Sequence, residues 1–115
     1  MQKFVHLAEG DNVPVREISE VCKLARPLFE IYKINHAAVF GSFARGNVKK
    51  KSDIDMLVSF EGKYDLFDII GSKQDLEEAL GRKVDLLTFN SLKNDEFSRI
   101  IKEEVRTIYD RPRVE

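Results

Sequence analysis

With a single cysteine, Cys22, the chain has no pair from which to form an internal disulfide, and dithiol redox chemistry is excluded. On a stretch that reads as helical, Cys22 is expected to be a small core residue rather than a nucleophile. An excess of charge of either sign is also missing: 19 Lys and Arg stand against 20 Asp and Glu, a formal net charge of −1. No overall basic field drives non-specific nucleic-acid binding, so nucleic acid is not the default partner, although a local basic patch stays compatible. Apolar runs last only a few residues, and the start MQKFVHLAEGDN lacks the basic end and apolar core of a signal peptide. A cytoplasmic protein with no membrane partner is expected. His6 and His36 form no metal-spaced pair and are assigned to structure or surface.

What is present suits one globular domain. The 115 residues are 43% hydrophobic and 34% charged, without the apolar depletion of a disordered chain, and show no repeat or linker. A single domain over residues 1–115 is expected, with 1–13 as a loose lead-in around Gly10-Asp11-Asn12. From about residue 15 to 33, Ile18, Val21, Leu24, Ala25, Leu28, Phe29 and Tyr32 recur at helical spacing. Pro27 interrupts that face and predicts a kink or two short helices. Residues 36–40 form a short apolar run bounded by Gly41, the pattern of a buried strand. Residues 53–60 then alternate Asp53, Asp55, Leu57 and Ser59 against Ile54, Met56, Val58 and Phe60.

A second helical region spans 66–80, closed by Gly81 as a left-handed cap, and Gly71 weakens or divides it. A strand over 83–89, a helix over 94–104 and a final strand over 105–109 follow. The order is α-β-(short α)-β-α-β-α-β, an α/β (α+β) fold with a small mixed sheet of about four strands flanked by helices. Phe40, Phe43, Phe60, Phe67 and Phe89 are expected in or near the core rather than as a base-stacking platform.

Two segments carry chemistry: Gly41-Ser42-Phe43-Ala44-Arg45-Gly46 and Ser52-Asp53-Ile54-Asp55-Met56-Leu57. A glycine directly after a strand permits a tight turn and close backbone approach to a ligand, and Ser42 adds a hydroxyl where a helix begins. Amides at a helix start favour an anion, and Arg45 supplies charge-assisted hydrogen bonds to phosphate. The spacing of Gly41 and Gly46 also fits a P-loop, but Asn47-Val48 stands where that motif requires Lys and Ser or Thr, so that reading fails. Taken alone, the Gly-Ser pair equally describes an ordinary strand-to-helix turn.

Asp53 and Asp55 lie two strand positions apart, roughly 6.5 Å, so both carboxylates leave one face and converge on hard cations such as Mg²⁺. Alone, the pair also describes two solvated aspartates, yet Asp is disfavoured in strands. Asp85 interrupts another apolar strand and would complete the cluster, as metal ligand or proton acceptor, provided that its strand lies beside residues 53–60. Lys49-Lys50-Lys51 reads either as a solvated loop or as an attractor of triphosphate or an RNA end.

Gly41-Ser42, ten intervening residues and Asp53-x-Asp55 resemble the signature of the DNA polymerase beta-like nucleotidyltransferase superfamily. More closely, VFGSFARG, SDIDMLV and LGRKVDLLT resemble the minimal nucleotidyltransferases, including MntA-type antitoxins, over about residues 16–110. That resemblance implies the polymerase beta-like fold, with a triphosphate at Gly41 and Ser42, two Mg²⁺ ions at Asp53 and Asp55, and Asp85 completing the site. It further implies ATP as the nucleotide and a helical HEPN toxin as partner, whose tyrosine would receive AMP. An antitoxin acting by contact alone, or transfer to a small molecule or an RNA 3′ end, stays open, as does a homo-oligomer. Lysines 49–51 depart from many relatives, where this loop is often acidic.

Overall fold

The computed structural model describes residues 14–49 and 52–111. The expected lead-in, His6 and the lysine run beyond Lys49 lie outside them. Helix α1, Ile18–Ile31, starts on a capping box in which Glu17 and Glu20 satisfy each other's backbone, and it buries Val21, Ala25, Leu28 and Phe29. It runs on as one helix through Pro27 instead of dividing there. Pro27 is exposed while Leu28 and Phe29 beside it are buried, so packing on the inner face carries the helix past one missing hydrogen bond.

Strand β1, Ile34–Phe40, leads without a loop into the four-residue helix α2, Gly41–Ala44. Strand β2, Ile54–Phe60, then feeds helix α3, Leu66–Leu80, which returns the chain to strand β3, Val84–Thr88. A 3₁₀ turn over Phe89–Ser91, helix α4, Glu96–Glu104, and strand β4, Arg106–Asp110, complete the order. The sheet runs β3-β2-β1-β4. β1 is antiparallel to both neighbours, whereas β2 and β3 are parallel, as the α3 crossover between them allows.

α1 and α3 cover one face of the sheet and enclose the main core, including Val39, Ile54, Met56, Val58 and Val84. α3 is capped by Asp65, whose carboxylate accepts from the Asp68 amide, and ends on Gly81 at φ 70°. Gly71 does not divide it. A Cβ there would lie 3.0 Å from the Tyr32 hydroxyl, so this glycine lets α3 approach α1 closely. The Tyr32 hydroxyl donates to Asp75 at 2.6 Å; burial and that carboxylate push its pKa up to about 12.

Phe67 corrects the sequence expectation, for it is 81% exposed. Ile69, Ser72, Leu76 and Leu80 take the core-facing stripe of α3, which turns Leu66, Phe67 and Ile70 outward. The other four phenylalanines behave as expected: Phe43 and Phe60 join the main core, and Phe40 and Phe89 join a smaller cluster with Leu57 and Ile101 under α4. Cys22 is half-buried on α1. His36 meets Asp110 at 3.2 Å and the Phe89 ring edge-on, the structural role expected. Among the described residues, no helix is long and apolar enough to cross a membrane.

Candidate active site

The alternation of β2 settles which face holds the acids. Ile54, Met56, Val58 and Phe60 enter the main core, so Asp55 and Leu57 must point to the opposite face, where Leu57 packs with Phe40 and Ile101. Asp53 lies exposed immediately before the strand. In the parallel pairing of β2 with β3, Asp55 stands opposite Asp85, and in the antiparallel pairing with β1 it stands opposite Phe40, the residue before the glycine turn. One backbone position thus brings the turn and the second carboxylate to Asp55.

Gly41 adopts φ 77°, a conformation that side chains resist. It also abuts Asp55: a Cβ at residue 41 would overlap Oδ2 of that carboxylate and sit 3.3 Å from its Cγ. No side chain caps the start of α2, and Ser42 is half-buried beside Gly41. The two segments singled out in the sequence are therefore in direct contact. Asp85 is exposed at the edge of the same face.

Electrostatics record the crowding. Partial burial, then the charge and hydrogen bond of Asp85, then Asp53, hold the Asp55 carboxyl above its ordinary 3.8, at about 6, against a smaller opposing pull from Arg45. Three carboxylates close enough to repel, all hard oxygen donors, fit a divalent cation of the Mg²⁺ class. Among the described residues, no three His, Cys, Asp or Glu side chains are gathered closely enough to hold a metal ion by themselves. Mg²⁺ is seldom held by protein groups alone, since it keeps water and substrate phosphate oxygens in several positions. An ion bound here would take its remaining ligands from water or from a bound molecule.

Arg45, read from the sequence as a phosphate ligand, sits just past α2 and pairs with Glu104 at the end of α4, Nη1 to Oε1 at 3.1 Å. Glu104 had no signal in the sequence, because its partner is 59 residues away. Arg82 was missed as well. Its side chain is 7% exposed, and it donates from Nε to the Val15 carbonyl at 2.6 Å and from Nη1 to the Lys49 and Ser52 carbonyls at 3.0 and 3.1 Å. It also lies over the Phe43 ring, 5.8 Å from its centre. One guanidinium thereby ties the approach to α1, the segment before Asp53 and the packing of α2. The only hint in the sequence was an arginine directly after the Gly81 cap.

Arg82→Met is expected to lower stability by about 2–4 kcal/mol, since the buried Val15 carbonyl and the part-buried Lys49 and Ser52 carbonyls lose their donor. Arg82→Lys should recover little, because an ammonium cannot reproduce the fork. Urea denaturation of the three proteins checks this; a loss under 1 kcal/mol for Met, on the order of ordinary surface changes, would show that Arg82 does not hold the site.

Comparison with known proteins bears on the family and the fold. Residues 23–113 match the family model described as polymerase beta, nucleotidyltransferase. A Methanocaldococcus jannaschii protein, provisionally named a protein adenylyltransferase, is 43% identical over 89 residues, 76% of this chain and 95% of its own. A solved structure, provisionally described as a minimal nucleotidyltransferase, superposes with a TM-score of 0.67 at 28% identity, covering 78% of this chain and 94% of its own. A Shewanella oneidensis complex of a tri-AMPylated HEPN toxin with an MNT antitoxin shares the fold at a TM-score of 0.59 and 18% identity, covering 81% of this chain and 72% of that one.

Proposed function

Because this chain belongs to the polymerase beta nucleotidyltransferase family, we propose that it transfers AMP from ATP to a hydroxyl, and that the acceptor is a tyrosine of a partner HEPN toxin. The observation that carries the reading is the abutment of Gly41 on Asp55, which sets the strand-to-helix turn against the carboxylates. The name of the Methanocaldococcus relative points to a protein acceptor, and the Shewanella complex points to its kind.

The residues divide the work by position. The uncapped amides at the start of α2 and the Ser42 hydroxyl donate to the triphosphate, and Arg45, released from Glu104, adds a charge-assisted contact. Asp53, Asp55 and Asp85 would hold Mg²⁺, which when bound neutralises the phosphates and polarises the reacting oxygens. Asp85, exposed at the sheet edge opposite Asp55, is placed to take the hydroxyl proton of an acceptor. The acceptor oxygen bonds to the α-phosphorus as the bond to pyrophosphate breaks. AMP on a ribonuclease tyrosine adds negative charge and bulk, so neutralisation of the toxin follows from catalysis.

The test is co-expression of the co-encoded helical protein with this chain or with Asp53→Asn. Intact mass should show one or more AMP additions on the partner, dependent on ATP and Mg²⁺ and absent with the variant. Full growth protection by Asp53→Asn, with an unmodified partner, would instead establish an antitoxin that acts by contact.

A further inference from the structure

Beside α2, at its C-terminal end and not at the Gly41-Ser42 turn, lies an open recess of about 470 Å³ whose lining includes Arg16, Arg45, Arg106, Glu17, Ser19 and Phe43. The arginines reach it from three separate elements: the approach to α1, the end of α2 and the start of β4.

Two of the guanidiniums are already oriented. Arg106 Nη1 donates to the Ala44 carbonyl at 3.3 Å, and Arg45 is held by Glu104. Glu17 is the one carboxylate in the lining, and it is engaged by the Ser19 hydroxyl at 3.4 Å and by the capping box of α1. The first amides of α1 contribute nothing spare, because the Glu20 carboxylate accepts from Arg16 N and Glu17 N at 2.6 and 3.1 Å. Any attraction for an anion must come from the arginine side chains, of which Arg16 faces the charge of the Glu20 carboxylate and Arg45 that of Glu104.

We propose that this recess is a second anion seat, distinct from the nucleotide turn, that takes a phosphate monoester. Three arginines in the lining of one recess suit a group with up to two charges and three acceptor oxygens better than a single carboxylate. The volume falls in the usual range for small-ligand sites and accommodates a nucleoside monophosphate as well as free phosphate. An anion seated there competes with Glu104 for Arg45, which links the recess to the residue already assigned to the triphosphate.

The test uses the whole chain in chelator, without divalent ions, titrated separately with inorganic phosphate, AMP and adenosine while backbone amide shifts are followed by NMR. Phosphate and AMP should saturate at low millimolar concentration or below and move the amides of residues 16–19 and 106, and adenosine should not. Tighter binding of AMP than of phosphate assigns the seat to a nucleotide; equal binding assigns it to the phosphate group alone. Arg16→Gln should weaken binding about fivefold, as loss of one exposed charge-assisted contact. Arg16→Gln with Arg106→Gln should weaken it at least tenfold. Arg16 is exposed, so the single variant decides the matter if Arg106→Gln perturbs the fold. Asp53→Asn should bind phosphate normally while losing transfer, which keeps this seat separate from the proposed reaction. Unchanged affinity in the arginine variants, shifts confined to residues 41–42, or no saturable binding would overturn the proposal.

Discussion

Asp55→Asn is expected to lower nucleotidyl transfer by a hundredfold to a thousandfold, the order for loss of one preorganised electrostatic group, and at the same time to raise the melting temperature of the metal-free protein. Both effects come from the same crowding. In the folded state the Asp55 carboxyl keeps its proton up to about pH 6, against an ordinary 3.8, because it is partly buried among Asp85 and Asp53. Between those values the Asp55 carboxyl binds more protons in the folded protein than in the unfolded chain, so the contribution of this one group to stability is fully present below 3.8 and is lost as pH rises through about 6. Full conversion of the difference would be about 3 kcal/mol, but the carboxyl is only half-buried and screening leaves about 1 kcal/mol.

Asparagine removes the repulsion at every pH. The variant should therefore melt about 4 °C higher than the parent above pH 7, and this gain should vanish below pH 4. Calorimetry at pH 4, 6 and 8 in chelator checks the sign. Added Mg²⁺ should then stabilise the parent and leave the variant unmoved. A variant that unfolds, or that gains nothing at pH 8, would mean that Asp55 serves the fold rather than a cation.

Gly41→Ala is the second change of large effect, and Gly46→Ala provides its control. Both glycines have positive φ, 77° and 81°, so alanine strains the backbone at either place, by about 1–2 kcal/mol. Only at residue 41 does the new Cβ strike something, the Oδ2 atom of Asp55; at residue 46 it meets nothing within 4 Å. Gly41→Ala must push Asp55 or the turn aside, and a shift of about 1 Å in a reacting constellation costs on the order of a hundredfold in rate. Gly46→Ala should show similar destabilisation with activity nearly intact. Equal losses of activity in the two variants would mean that turn strain, not the Gly41 to Asp55 contact, limits the reaction.

The legible part of the site was local. Gly41-Ser42 after an apolar run and the alternation of Asp53 and Asp55 against Ile54 and Met56 are patterns of a few residues, and each corresponds to backbone geometry that a short segment sets for itself. Element order followed for the same reason, with boundaries shifting by up to three residues where caps decide them: α1 begins at Ile18, β1 at Ile34, and α4 after Asp95, whose carboxylate accepts from the Ser98 amide. Of the two outcomes expected at Pro27, a kink or two short helices, the division did not occur because propensity is local, whereas the burial of Leu28 and Phe29 that holds α1 together is not. Phe67 failed similarly, since the sequence marks an apolar residue on a helix but not which stripe meets the sheet.

From the sequence by itself came the fold class, the turn and the acid pair, because strand alternation and a glycine bound act over neighbouring residues. Tertiary structure alone decided that β3 lies parallel beside β2, which puts Asp85 opposite Asp55 across the α3 crossover. It also decided the pairing of Arg45 with Glu104, the clamp of Arg82 on three carbonyls, and the meeting of Arg16 and Arg106 beside α2. Each joins residues that are dozens of positions apart, and no local period can encode such a contact. Strand order and the packing of α1 and α4 on opposite faces of the sheet bring those side chains together, and burial then makes Arg82 hydrogen-bond to the carbonyls it meets.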